Sequence, residues 1–315
     1  MRLQCVILNY RTADMTIDAI RAARRALAGI EDHRIDVVDN DSRDGSFEKL
    51  REVAEGEGWP DVQVMASPRN GGFGAGNNFA IRKALASDDP PDLVYILNSD
   101  AFPAEDAVDK LISFLDGHPD VGIAGSYIHG TDGDPHLTAF RFPTLRSEII
   151  GSVRLGLLER LWPDTEVPIR PMPDETRQVD WLAGASMMLR REVLEEIGLF
   201  DETFFLYFEE TDLCRRARLA GWPTWYVVES RVAHVGSAST NWQDKTRPMP
   251  AYWFQSRRHY FVKNHGRAYT WAANTACALG LASFKLRAAL QGKEDPHRVH
   301  FFRDFVRFNF RDSPP

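Results

Sequence analysis

The sequence predicts an α/β protein: a doubly wound, mostly parallel sheet with helices on both faces, followed by a C-terminal helical appendage. Three observations carry that expectation. An apolar run of strand length, a polar loop and an amphipathic stretch follow one another repeatedly through Asp100, the alternation that builds parallel sheets. The run Leu93-Val94-Tyr95-Ile96-Leu97 is unbroken and stops at Asn98-Ser99-Asp100, as a strand covered on both faces does. Charge then divides the chain: residues 247–315 hold 12 Lys/Arg against 4 Asp/Glu, while the first 246 hold 26 basic and 41 acidic residues. That shift predicts one large domain over 1–246 and a basic helical extension over 247–315.

At 315 residues, 43% hydrophobic and 26% charged, the chain is long and apolar enough to bury a full core. Cys5, Cys214 and Cys277 are widely spaced, with no C-x-x-C. They predict reduced buried thiols and argue against a disulfide framework or a zinc site. Met1-Arg2 leads straight into an apolar strand, so no secretory leader is expected and the cytoplasm is the expected compartment.

The elements follow in order. Arg2–Leu8 is a strand with Asn9-Tyr10-Arg11 as its exit loop, and Asp14–Leu27 an amphipathic helix. Ile35–Val38 is a second strand, ending in Asp39-Asn40-Asp41, with a helix from Phe47 to Glu55. Val62–Met65 leads through a glycine-rich loop into a helix ending at Leu85, and Leu93–Leu97 into a helix over Glu105–Leu115. Right-handed crossovers place all four exit loops on one rim, where such sheets bind ligands. Beyond lie a strand at Val121–Ala124, a helix over Leu145–Leu161 and a proline-punctuated connector from Pro163 to Pro173. Val179–Leu189 reads as a strand or a buried, glycine-broken segment. Glu210–Ala220 is a helix, Trp225–Val228 a strand, and helical material follows Met249.

Several of these loops carry candidate chemistry. Asp100 emerges beyond the central strand, where a lone hard carboxylate suits a divalent cation holding a diphosphate. The loop Asn70-Gly71-Gly72-Phe73-Gly74-Ala75-Gly76-Asn77-Asn78 fails the dinucleotide pattern, with Asn77 where the third glycine belongs, and no Walker lysine follows. It predicts a flexible loop offering backbone NH groups, with Asn77 or Asn78 capping the next helix. Asp39 is placed to accept from a base NH or a ribose hydroxyl, whereas Asp44 is a turn and cap residue. The aromatic run Phe204–Phe208 delivers Glu209, Glu210 and Asp212 to the first turn of a helix. An apolar wall suits a general base of raised pKa, and helix capping with an Asp212–Arg216 ion pair accounts for the same residues equally well. His234, ahead of the small-residue loop Val235-Gly236-Ser237, needs a second candidate ligand beside it to be a metal ligand.

Together these segments resemble a bacterial family 2 glycosyltransferase of the GT-A fold. They are most similar to its cell-wall and surface-polysaccharide branch of rhamnosyl- and galactofuranosyltransferases. The resemblance rests on Val6-Ile7-Leu8-Asn9-Tyr10, Val37-Val38-Asp39-Asn40-Asp41, the glycine-rich segment and Leu97-Asn98-Ser99-Asp100. It continues through Trp181-Leu182-Ala183-Gly184-Ala185-Ser186, Gly198-Leu199-Phe200-Asp201-Glu202, Asp212-Leu213-Cys214 and His234-Val235-Gly236. It implies an inverting transfer of rhamnose or another hexose from a dTDP- or UDP-linked donor to a glycan or lipid-diphosphate-linked acceptor. Asp39 with the Asn9-Tyr10 loop would hold base and ribose, and Asn70, Gly74 and Asn78 would line the donor. Trp181, Gly184 and Ala185 would shape the sugar and acceptor pocket. Asp100, beside Asn98 and with His234 as second ligand, would bind Mg²⁺ or Mn²⁺. The catalytic base would be Glu210, with Glu209 and Asp212 as fallbacks. Two departures stand out: Asn98 where the family often has Asp, and Glu210 where it commonly has Asp. The alternatives are an inactive nucleotide- or glycan-binding homologue and a sugar nucleotidyltransferase. The latter usually has a glycine-rich, arginine-containing loop where Asn9-Tyr10-Arg11 stands.

The tail predicts contact with something anionic. No helix-turn-helix, zinc-finger or RNA-recognition signature is present, so nucleic acid is not expected. Ala268–Phe284 is a run of 17 uncharged residues, the lower edge for a span, but Asn274 would then lie near mid-bilayer. An interfacial helix fits better, with Trp271, Leu279, Leu281 and Phe284 as apolar contacts and Arg257, Arg258, Lys263 and Arg267 before them. Arg298, Arg303 and Arg307 beside Phe301, Phe302 and Phe305 extend the pattern. The expectation is an enzyme peripheral on the inner face of the cytoplasmic membrane; a purely structural appendage is the alternative.

Overall fold

The computed structural model describes residues 1–236 and 244–311. It opens with the expected alternation: β1 (Leu3–Asn9), α1 (Ala13–Leu27), β2 (His33–Asp39), α2 (Ser46–Gly56), β3 (Val62–Ala66), α3 (Gly72–Leu85) and β4 (Leu93–Asn98). Then come β5 (Ala101–Pro103), α4 (Ala107–Gly117), β6 (Ile123–His129), β7 (Ala139–Phe140), α5 (Leu145–Val153) and α6 (Gly156–Leu161). The third part runs β8 (Arg177–Val179), β9 (Trp181–Leu182), β10 (Ser186–Arg190), α7 (Arg191–Ile197), α8 (Glu209–Leu219) and β11 (Thr224–His234). Two helices close the chain, α9 (Ala251–Leu290) and α10 (Phe301–Val306), with a π-helical turn at Arg307–Arg311.

Nine strands form one sheet in the order β3-β2-β1-β4-β10-β6-β11-β5, with β8 against β11. β3, β2, β1 and β4 are parallel. β10 runs antiparallel between β4 and β6, so the sheet is mixed at its centre. Side chains alternate across each strand. Leu3, Cys5 and Ile7 therefore enter the core under α1, α2 and α4, while Val6, Val94 and Ile96 enter the core under α3, α7 and α8. With both faces covered, the aliphatic runs are unbroken. Cys5, Cys214 and Cys277 are buried free thiols.

The structure corrects four expectations. The glycine-rich segment is no loop: α3 begins at Gly72, so Asn77 and Asn78 lie buried inside the helix and cap nothing. A side chain at Gly72 would sit 1.7 Å from the Phe205 carbonyl, and the absence of one lets the Phe73 amide donate to that carbonyl at 3.0 Å. The helix expected over Leu145–Leu161 breaks in two where Arg154 turns left-handed (φ 52°). The strand expected at Trp225–Val228 continues across a bulge to His234. The tail's aromatics mostly turn inward, and one of its cations goes with them. Arg257 is buried, donating to Glu148 at 2.6 Å and to Asn274 at 2.7 Å. Phe305 is buried, and Phe301 and Phe302 pack with it around Phe254. Burying an arginine is tolerable only with its hydrogen bonds made, and here they tie α5 to α9. Asp44 behaves as read: its carboxylate accepts the Ser46 amide at 3.0 Å.

Candidate active site

The carboxyl ends of β1 and β2 are joined by a cluster of hydrogen-bonded polar side chains. Asn9 Nδ2 donates to Asp39 Oδ1 at 2.7 Å, and Asn9 Oδ1 accepts from Thr16 Oγ1 at 2.8 Å and from the Thr12 amide. Asp39 Oδ2 accepts the Ser42 amide at 3.1 Å. Asn9 is fully buried with its amide group taken up internally, so it braces Asp39. Asn70 Oδ1 accepts from Asn40 Nδ2 and from the Gly72 amide, both at 3.0 Å, which ties this cluster to the start of α3. Tyr10 is half-buried with the Arg11 guanidinium 5.1 Å from its ring centre. Arg11, Asp41 and Arg43 all hold left-handed backbone, a strain that recurs where loops are shaped for function.

At the end of β4 the structure brings Asn98, Asp100 and His234 together. The antiparallel pairing of β11 with β5 aligns His234 with Ala101, and the Val235 amide donates to the Asp100 carbonyl at 3.0 Å. His234 Nε2 consequently stands 3.0 Å from Asp100 Oδ1 and 3.4 Å from Asn98 Nδ2. One ring nitrogen cannot donate to the carboxylate and accept from the amide at once; the shorter, charge-assisted contact to Asp100 prevails. A carboxylate and an imidazole converging at the rim fit a divalent cation that takes its remaining ligands from a diphosphate and water. Among the described residues no cluster of three or more His, Cys, Asp or Glu is placed to hold a metal unaided. His136, which sequence reading missed, stands with its ring centre 6.0 Å from that of His234. It lies in the turn after β6, where no pattern marks it. The small-residue loop expected after His234 lies, from Ser237 onward, outside the described residues.

The third component is the head of α8. Tyr207 and Phe208 both hold left-handed backbone (φ 71°) where the chain turns into the helix. Glu209 is 1% exposed and its Oε2 has no partner. Burial, then the charge of Glu210, pushes its carboxyl well above the usual range. Glu210 is half-buried; burial raises its pKa, and the Gly184 amide, donating to Oε1 at 3.1 Å, partly counters that. A Cβ at Gly184 would lie 2.8 Å from Phe73 Cζ and 2.9 Å from Glu210 Oε1, so both side-chain ends would have to shift. The neighbouring Ala185 carbonyl accepts the Asn98 amide at 3.0 Å. The Gly184-Ala185 pair thus links the carboxylate of α8 to the end of β4, two residues before Asp100.

Asp212 belongs elsewhere. It is fully buried, accepting from Arg216 and Lys263 at 2.8 Å each and from Asn264 at 3.1 Å. The expected Asp212–Arg216 pair is present, and α9 supplies the other two partners. Asp201 joins the same network: burial would raise its pKa, but bonds from Lys263 and His259 outweigh that and hold it far below the usual carboxylate range. Asn78 is likewise taken up within the protein, donating to the Phe200 carbonyl at 2.9 Å and to Glu202 at 3.0 Å. Gly74 faces Phe200. Trp181 stacks on Phe140 at 4.1 Å, its indole NH donating to the Arg141 carbonyl at 2.9 Å.

Comparison with known proteins places this arrangement. A curated relative from Mycobacterium tuberculosis, N-acetylglucosaminyl-diphospho-decaprenol L-rhamnosyltransferase, is 29% identical over 214 residues, 65% of this chain and 67% of the relative. Rhamnosyltransferase WbbL of Escherichia coli K12 is 30% identical over 166 residues, 52% of this chain and 60% of that protein. The solved mannosyltransferase PcManGT from Pyrobaculum calidifontis, in complex with GDP-Man and Mn²⁺, superposes with a TM-score of 0.60 at 17% identity, over 94% of this chain and 76% of that one. The fold is therefore that of the GT-A glycosyltransferases. The family model described as Glycosyl transferase family 2 matches residues 5–198, from β1 through α7 and so through the whole β1–β2–β4 rim. Spanning well over half of the sequence, that match shows that the protein belongs to glycosyl transferase family 2.

Proposed function

We propose that the protein is an inverting, metal-dependent hexosyltransferase, taking a sugar such as rhamnose from a dTDP- or UDP-linked donor. The acceptor is a hydroxyl of a glycan or lipid-diphosphate-linked glycan, the type named for the mycobacterial relative. The observation that carries the reading is the Gly184-Ala185 link, which joins Glu210 to the end of β4, two residues before Asp100. Residues 1–246 perform binding and chemistry in this reading, and residues 247–315 brace α8.

Asp39 and the Asn9-Tyr10 loop receive base and ribose, held in place by the cluster beneath them. Asp100 and His234 would hold Mg²⁺ or Mn²⁺, which when bound neutralises charge on the departing diphosphate. Trp181 and Phe140 face the acceptor. Glu210 takes the proton of the acceptor hydroxyl, whose oxygen bonds to the anomeric carbon as the carbon–phosphate oxygen bond breaks, with inversion. Its raised pKa suits that role, because a base matched to ambient pH accepts a proton more readily. Glu209, kept neutral by burial, leaves the single negative charge on Glu210.

The test is release of nucleoside diphosphate from a panel of dTDP-, UDP- and GDP-linked sugars with Mg²⁺ or Mn²⁺ and a lipid-diphosphate acceptor. Acceptor-dependent release supports transfer. Donor binding without release under any pairing would make the protein a nucleotide-sugar binder instead.

A further inference from the structure

Exposed apolar side chains are unevenly spread over this molecule. Among the described residues, more than half of the exposed large hydrophobics sit on two segments, residues 155–162 and the part of α9 after its break at Gly266. On α9 they are Trp271, Leu279, Leu286 and Leu290, with Trp271 66% and Leu290 79% exposed. Their spacings of eight, seven and four residues put them on one helical face. The opposite face is buried through Asn274, Cys277, Gly280 and Leu281. Gly280 permits close contact with α5, since a side chain there would meet Ser152 and Val153.

The second segment lies at the same end. Arg287 donates to the Val153 carbonyl, and the Arg154 guanidinium stands 5.7 Å from the Phe284 ring centre. The left-handed turn at Arg154 then leads into α6, which leaves Leu155, Leu157 and Leu161 exposed. Cations border this apolar surface: Arg160, Arg267 and Lys293 are exposed, and Arg154 and Arg287 flank Phe284. The whole of α9 contains no acidic residue.

We propose that the face formed by the second half of α9 and by α6 is a docking surface for an anionic lipid bilayer, lying in its interface. No helix among the described residues is long and apolar enough to cross a membrane, so the contact is peripheral. The combination of an apolar stripe, on a helix that carries no acidic residue, with bordering cations selects an anionic leaflet over a neutral one or an apolar protein partner. The docking surface is not the basic stem that the sequence suggested. Arg257 is buried on Glu148, and Lys263 is paired with Asp201 and Asp212. The inference is independent of the transfer reading, because binding to lipid is measured without substrate.

The experiment is co-sedimentation of the full chain with vesicles of phosphatidylcholine alone and with added phosphatidylglycerol, across a salt series. The expected result is binding to the anionic vesicles that salt weakens, and a drop of about tenfold or more for Leu286→Glu/Leu290→Glu. Leu219→Glu, at an exposed position on α8, should bind as wild type, and matching thermal melts show that all three proteins are folded. Equal, negligible binding to both vesicles overturns the proposal, as does unchanged binding by the double variant. A dimer in light scattering that the double variant dissolves, with no vesicle binding, would assign the face to a second copy of the chain.

Discussion

Asn9 and Asp39, at the corner between β1 and β2, and the first carboxylates of α8 are hydrogen-bonded in opposite ways. At the corner both functional groups of Asn9, and both oxygens of Asp39, are hydrogen-bonded within the protein. At the head of α8, Glu209 Oε2 is buried with no partner, and burial raises the pKa of Glu210 although its own backbone amide and that of Gly184 favour the charged form. A satisfied cluster is a brace, rigid and low in energy. An undersatisfied carboxylate holds its proton more tightly, and this is what a base needs. Asp212, on the same turn as Glu210, follows the first regime: three partners make it a joint between α8 and α9. Neighbouring carboxylates on one helix thus take opposite roles, decided by what surrounds them.

Breaking the comparison begins with the largest effect. Asp100→Ala should abolish transfer, since losing a charged metal contact removes several kcal/mol of transition-state stabilisation. Metal titration by calorimetry in the presence of nucleoside diphosphate should show the coupled binding lost, and His234→Ala should weaken it less. Near-normal transfer by Asp100→Ala after metal removal and resupply would end the assignment.

Glu210→Gln should lower kcat by about 10²–10⁴ with donor affinity nearly unchanged. Wild-type kcat/KM should rise with pH through the elevated Glu210 pKa, because only the deprotonated form is a base, and the variant's profile should lose that limb. Retained activity here, with Glu209→Gln inactive, would move the base by one residue.

Asp212→Ala tests the braced regime. It leaves Arg216 and Lys263 without their buried counter-charge, a loss of about 3–5 kcal/mol in chemical denaturation. Any fall in kcat per folded molecule should be smaller than that of Glu210→Gln.

The smallest effect sharpens the undersatisfied side. Glu209 has a raised pKa in the folded protein, so the folded state holds a proton that the unfolded chain releases above about 4.3. Stability must then fall as pH rises through that window. Glu209→Gln removes the titration, and its Tm relative to wild type should improve from pH 4 to pH 8. A constant difference across pH would show that Glu209 does not titrate differently on folding.

Much of this was legible in the residues. The βα alternation, the strand leading to Asp100 and the acidic head of α8 are local features, written as apolar runs and turn chemistry within short windows. They determined the fold class and the rim on which the loops meet. Other outcomes depended on contacts between residues far apart in the chain. The glycine-rich segment became helix because Gly72 and Gly74 let α3 approach Phe205 and Phe200. Asn78 and Asp212 became internal joints through partners on the 200–202 loop and on α9. The reversal of β10 placed Gly184-Ala185 between the two acidic sites. The tail's charge was plain in the sequence; which cations face inward was not. Composition counts charges, but a side chain's employment depends on the neighbour that tertiary packing brings within hydrogen-bonding distance.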